Sequence, residues 1–141
     1  MSEAPTVPPL ADAAPGASTL TPRDRKLRQA AFFYLHVGLL YEVSVLVMAR
    51  QGLLPPERGP VAVWLALGAL IVAAVFWGLW WKRSVWLARV LWAAQAFRLP
   101  ALVGGAFFPE VGARIPSGFY LTALVVVVAN LWMLARAGWD V

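Results

Sequence analysis

An all-α membrane protein, an antiparallel bundle of four transmembrane helices, is the fold this sequence predicts, and three observations predict it. Four runs, 29–49, 61–81, 85–108 and 119–135, are nearly unbroken in Leu, Val, Ala, Phe and Trp. Each falls within the ~17–25 residues that a helix needs to cross a hydrocarbon core. The chain is 61% apolar and 13% charged, where soluble domains carry about 25% charged residues. The connections 51–60, 82–84 and 109–118 are short, which makes successive helices antiparallel neighbours. Barrel strands would alternate polar and apolar residues, and these runs do not.

The elements follow in order. Residues 1–20 hold Pro5, Pro8, Pro9 and Pro15 among Ala, Ser and Thr, and read as a disordered cytoplasmic tail rather than a cleaved signal peptide. The membrane domain is expected over 21–141, with helices at about 22–50, 60–82, 84–107 and 117–136. Thr21 can cap the first helix, Pro22 suits its first turn, and Asp24 completes the capping spacing. In the third run Pro100 frees a backbone carbonyl near Ala96 and predicts a kink.

Charge sets the orientation. Arg23, Arg25, Lys26, Arg28, Lys82, Arg83 and Arg136 fall on one side of the four runs, and only Arg50, Arg58 and Arg114 on the other. The positive-inside rule then places both termini in the cytoplasm of a plasma or inner membrane. Trp80, Trp81, Trp86 and Trp139 would form an aromatic belt at the cytoplasmic surface, opposite Trp64, Phe107, Phe108 and Tyr120. A net charge of +5 distributed this way is a topology signal, not a nucleic-acid surface.

The chemistry-bearing residues are those that interrupt the apolar runs. An ionised side chain at mid-bilayer costs roughly 2.5–3.5 kcal/mol, so Glu42 and Arg98 need partners. Glu42 lies as far beyond Arg28 as Arg98 lies beyond Ser84, ~21 Å at 1.5 Å per residue. Equal depth suits an ion pair inside the bundle. Glu42 shares a helix stripe with Tyr34, Gly38 and Tyr41, and Gln95 lies on the face of Arg98, so Glu42, Arg98, Gln95, Tyr34 and Tyr41 form the candidate polar cluster. A shallower layer holds His36, Arg89 and Asn130. Arg89 lies only ~8 Å in, where it can snorkel to headgroups, although its face is lined by small residues suited to close helix contact. It points half a turn away from Arg98. His36 projects to the opposite side of its helix as a packing residue, and Asn130 is placed to hydrogen-bond across helices.

Several chemistries are absent. The chain has no Cys and one His, which removes disulfides, thiol catalysis and multi-histidine metal or haem sites within a protomer. No phosphate loop and no Ser–His–acid constellation appears, so no cofactor, metal or catalytic set is expected.

No family is recognised from the chain as a whole. The segment Gly38-Leu39-Leu40-Tyr41-Glu42-Val43 is similar to the first-helix motif of small multidrug resistance transporters, four-helix proteins that use one glutamate there for proton and cation exchange. The resemblance implies a coupling role for Glu42. It stops at that segment: Arg89 and Arg98 stand where that family's third helix is uncharged, and the Pro-rich tail is foreign to it. Three functions follow. The leading expectation is a structural or accessory component that associates with lipid, other membrane-protein subunits or a second copy of itself. The alternative is a dimeric proton-coupled transporter with Glu42 as the coupling carboxylate. The third is a lipid- or isoprenoid-modifying enzyme.

Overall fold

The structure, a computed structural model, describes residues 20–54, 60–108 and 115–140. The tail expected over 1–20 lies outside these except for its last residue, as do Arg58 and Arg114. Among the described residues there are five helices and no strand: α1 Pro22–Arg50, α2 Val61–Trp80, α3 Val85–Ala96, α4 Leu99–Phe107 and α5 Ser117–Trp139. With α3 and α4 taken as one span, Val85–Phe107, four helices are long and apolar enough to cross a membrane.

Local chemistry sets the helix ends. The Thr21 hydroxyl accepts from Asp24 N at 3.2 Å while the Asp24 carboxylate accepts from Thr21 N at 3.3 Å, with Pro22 in the first turn. These bonds satisfy two of the donors that a helix start leaves open. Ser84 caps α3 by accepting from Leu87 N. Arg83 adopts a left-handed φ of 49° in the tight turn between α2 and α3.

The third apolar run, expected over about 84–107 with a kink at Pro100, is one span, Val85–Phe107, divided into α3 and α4. Pro100 has no N–H for the Ala96 carbonyl, and its ring crowds that carbonyl. The ladder tightens just before it, where Arg98 N bonds Gln95 O at 3.1 Å, a three-residue spacing. The break falls at Phe97–Arg98, so Arg98 stands at the N-cap of α4.

Packing is uneven along the helices. The core joins Leu27, Ala30, Ala31 and Tyr34 of α1 to Val72, Val75 and Leu79 of α2, Ala88 of α3, and Leu134 and Ala137 of α5. It therefore gathers the start of α1, the end of α2, the start of α3 and the end of α5. The same end carries the polar ties. Lys26 Nζ meets Asp140 Oδ1 at 2.9 Å, and Arg83 Nη1 meets Asp24 Oδ2 at 3.0 Å. The Lys26 hydrogen bond and charge hold the Asp140 carboxyl below the ordinary carboxylate range. Arg28 lies over Trp80, with the guanidinium carbon 4.9 Å from the ring centre. Toward the other end no residue of α4 is buried. Helix α1 packs chiefly on α2 and α5, while α4 packs on α5, where Gly105 lets the Tyr120 ring close onto the backbone.

Candidate functional site

Beyond the core the helices part around a partly open cavity of about 300 Å³. Tyr34 and Val72 belong to both core and cavity and form its floor. The wall of α1 includes Gly38, Tyr41, Glu42 and Ser44, and α2 contributes Gly68 and Ile71. Gln95 and Arg98 enter from the α3–α4 break, and Phe119, Thr122, Ala123, Val126 and Val127 from α5. All five residues of the expected polar cluster therefore line one cavity.

They do not meet as an ion pair. Among the described residues the ion pairs are Lys26–Asp140 and Arg83–Asp24, and no Glu42–Arg98 contact within 4.0 Å is formed. The reason lies in where each side chain is seated. Glu42 turns to α2, where its carboxylate occupies the space that a Cβ on Gly68 would fill. Arg98 lies over the Tyr41 ring, its guanidinium carbon 5.6 Å from the ring centre, a cation–π arrangement. Opposite charges thus face one cavity from different walls. Gln95 is 8% exposed and its Oε1 has no hydrogen-bond partner. Tyr34, 9% exposed, lines the same cavity.

The shallower layer does not join this site. His36 is exposed outside the cavity, and its Nδ1 donates to the Phe32 carbonyl at 2.8 Å while its ring tilts against Phe32. Arg89 is exposed and reaches back toward the packed end, where its guanidinium is tied to α5. Its Nε donates to the Gly138 carbonyl at 3.0 Å, and its guanidinium lies over Trp139. Arg23 Nη2 donates to the same carbonyl at 3.2 Å, so two cations cap the C-terminus of α5, where the helix dipole favours positive charge.

Asn130 is fully buried, and neither its Nδ2 nor its Oδ1 has a partner. The interhelical hydrogen bond expected of it is not made. A buried amide left unsatisfied costs about 1–3 kcal/mol, and an apolar side chain of similar shape removes that cost. Asn130→Leu is therefore expected to raise the thermal midpoint of the purified protein in detergent; a lowered midpoint would mean that the amide has a partner.

Gly68 is the site residue that the sequence reading missed. Small residues at fourfold spacing in the second run, Ala69/Ala73 and Ala74/Gly78, do not include it. Yet Gly68 lies about as far into α2 as Glu42 lies from the end of α1. Matching depths for glycines as well as for charges would have found it. The α5 wall, with Thr122 and Ala123, carried no comparable signal. Among the described residues no group of three or more potential metal ligands occurs. Comparison with protein-family models, with curated proteins and with solved structures finds no match.

Proposed function

We propose that this chain is a multi-pass integral membrane protein, an antiparallel bundle with both termini in the cytoplasm, which binds a small molecule in its cavity. The basic residues gather at the packed end, which supports placing that end at the cytoplasmic face. The cavity then lies toward the outer half of the bilayer. The carrying observation is that Glu42 and Arg98 line one cavity without pairing. A charge pair serving only to lock the bundle would be closed, whereas the ties that lock this bundle lie at its other end. A cavity of about 300 Å³ with mainly apolar walls and a few convergent polar groups has the form of a ligand site.

The test fills the cavity. Ala123 lines it from α5 and is half-buried. In the purified parent, native mass spectrometry is expected to show a retained small-molecule or lipid adduct, and Ala123→Trp is expected to lose it while remaining folded. An adduct that survives in Ala123→Trp would sink the reading.

The accessory reading rests on a different observation, that α4 buries none of its own residues and packs chiefly on α5. Such a helix is suited to meeting another membrane subunit. On that reading Ala123→Trp leaves the protein's assembly unchanged, while bulky changes at Leu102 or Val103 disrupt it.

A further inference from the structure

Resting on the cavity as a binding site, we propose that its ligand is a zwitterionic amphiphile, with an ammonium set against Glu42 and an oxyanion against Arg98. These walls hold one unpaired charge of each sign, Glu42 partly buried and Arg98 exposed, and in the proposed bilayer setting neither has bulk water to screen it. A purely anionic ligand satisfies Arg98 and leaves the carboxylate without a cation. A purely cationic ligand does the reverse, and a neutral one relieves neither. Only a ligand carrying both charges, spaced to span the gap, satisfies both walls.

The seats are built for this. The Glu42 carboxylate rests where Gly68 has no side chain, which holds it on the α2 wall away from Arg98. On another wall, the α3–α4 break positions Arg98, whose guanidinium carbon lies over the Tyr41 ring. The guanidinium N–H donors make no side-chain hydrogen bond among the described residues, which leaves them to a phosphate or carboxylate. Gln95 adds a third polar group. It is 8% exposed, it lines the cavity, and its Oε1 lacks a donor. An ammonium with three N–H donors has hydrogens to spare for an acceptor beyond Glu42.

Size and wall chemistry narrow the class further. At ~30 Å³ for a water-sized group, about 300 Å³ holds on the order of ten non-hydrogen atoms, which suits a phosphoethanolamine head. Most of the remaining lining, including Leu40, Ile71, Val126, Val127 and Phe119, is apolar and favours an attached hydrocarbon portion, while the Ser44 and Thr122 hydroxyls donate to the Leu40 and Gly118 carbonyls. The bilayer itself supplies amphiphiles of this kind.

The experiment compares four single-chain probes of equal acyl length on the full chain in detergent micelles. They are lysophosphatidylethanolamine, anionic lysophosphatidylglycerol, an alkyltrimethylammonium and a neutral monoacylglycerol, with free phosphoethanolamine as a fifth. Affinity is read by thermal shift and native mass spectrometry. Lysophosphatidylethanolamine is expected to bind at least tenfold more tightly than the other four. Glu42→Gln should bring it down to the level of the anionic probe. Arg98→Gln should bring it down to the level of the cationic probe, with Arg98→Lys recovering part of the loss if the guanidinium is needed for folding. Equal affinity for all charge classes, or indifference to both substitutions, overturns the zwitterion while the Ala123→Trp result still stands for the cavity. Free phosphoethanolamine binding as tightly as the lysolipid overturns the amphiphile. Failure of the cavity reading has its own signature: no probe binds and the adduct survives in Ala123→Trp.

Discussion

Leu79→Ala is expected to cost about 2 kcal/mol or more of stability, read as a fall in the denaturation midpoint in mild detergent. Leu79 is 0% exposed at the packed end, in the cluster with Leu27, Ala30, Ala31 and Leu134. Leu→Ala changes in soluble cores cost about 2–5 kcal/mol through lost transfer energy and the void left behind. On the membrane reading proposed above, the transfer contribution largely vanishes, because acyl chains are as apolar as Leu. The void and the lost dispersion contacts remain, which places the expectation at the lower end of that range. Leu70, on the same helix but 67% exposed, supplies the control: Leu70→Ala should move stability by no more than about 0.5 kcal/mol. Equal effects at the two positions would show that the packed end does not carry the fold.

Gly38→Leu is the second large effect expected, and Gly68→Ala is its informative counterpart. Both glycines mark close approaches of α1 and α2. A Cβ at Gly38 would collide with Cγ2 of Val72, which is 9% exposed and β-branched. Such a side chain has few rotamers to retreat into. Forcing bulk into a packed interface costs about 1–3 kcal/mol, and a Leu side chain here would part the two helices. At Gly68 the atom in the way is the Glu42 carboxylate, the free end of a flexible side chain. Gly68→Ala should therefore leave the melting midpoint nearly unchanged while pushing the carboxylate off its seat and weakening lysophosphatidylethanolamine binding about tenfold, the loss of ~1.4 kcal/mol. If Gly68→Ala melts as early as Gly38→Leu, the glycine serves helix packing rather than the position of Glu42.

Much of this was legible in the sequence because the physics behind it is one-dimensional. Run length and composition mark the four apolar segments. The spacing of Thr21, Pro22 and Asp24 is the hydrogen-bond pattern of a helix start, and Pro100 removes a donor wherever it sits. Depth along a helix is also a linear quantity, and it brings Glu42 and Arg98 to one level. Whether two residues at one level touch is a lateral question. It depends here on Gly68 offering Glu42 a seat and on Tyr41 offering Arg98 a ring. Arg89 carries the same lesson. Read along its own helix it is a cation near an end, free to snorkel. Its actual acceptor is a backbone carbonyl of Gly138, which no side-chain pattern announces.

On the membrane reading proposed above, the break at Phe97–Arg98 also bears on how the chain would enter a bilayer. A translocon weighs each segment on its own as it emerges. The third span is the least apolar of the four, carries two arginines, and is divided into pieces of 12 and 9 residues. An arginine near the bilayer centre disfavours insertion by roughly 2.5–3.5 kcal/mol, a cost that falls on Arg98, with Arg89 nearer the end of the span. Arg89 finds its acceptor only on α5, and α4 packs chiefly on α5 as well, so both gain their support from a helix made afterwards. On the proposed membrane reading, the last span would support the one before it, and the two would insert as a pair.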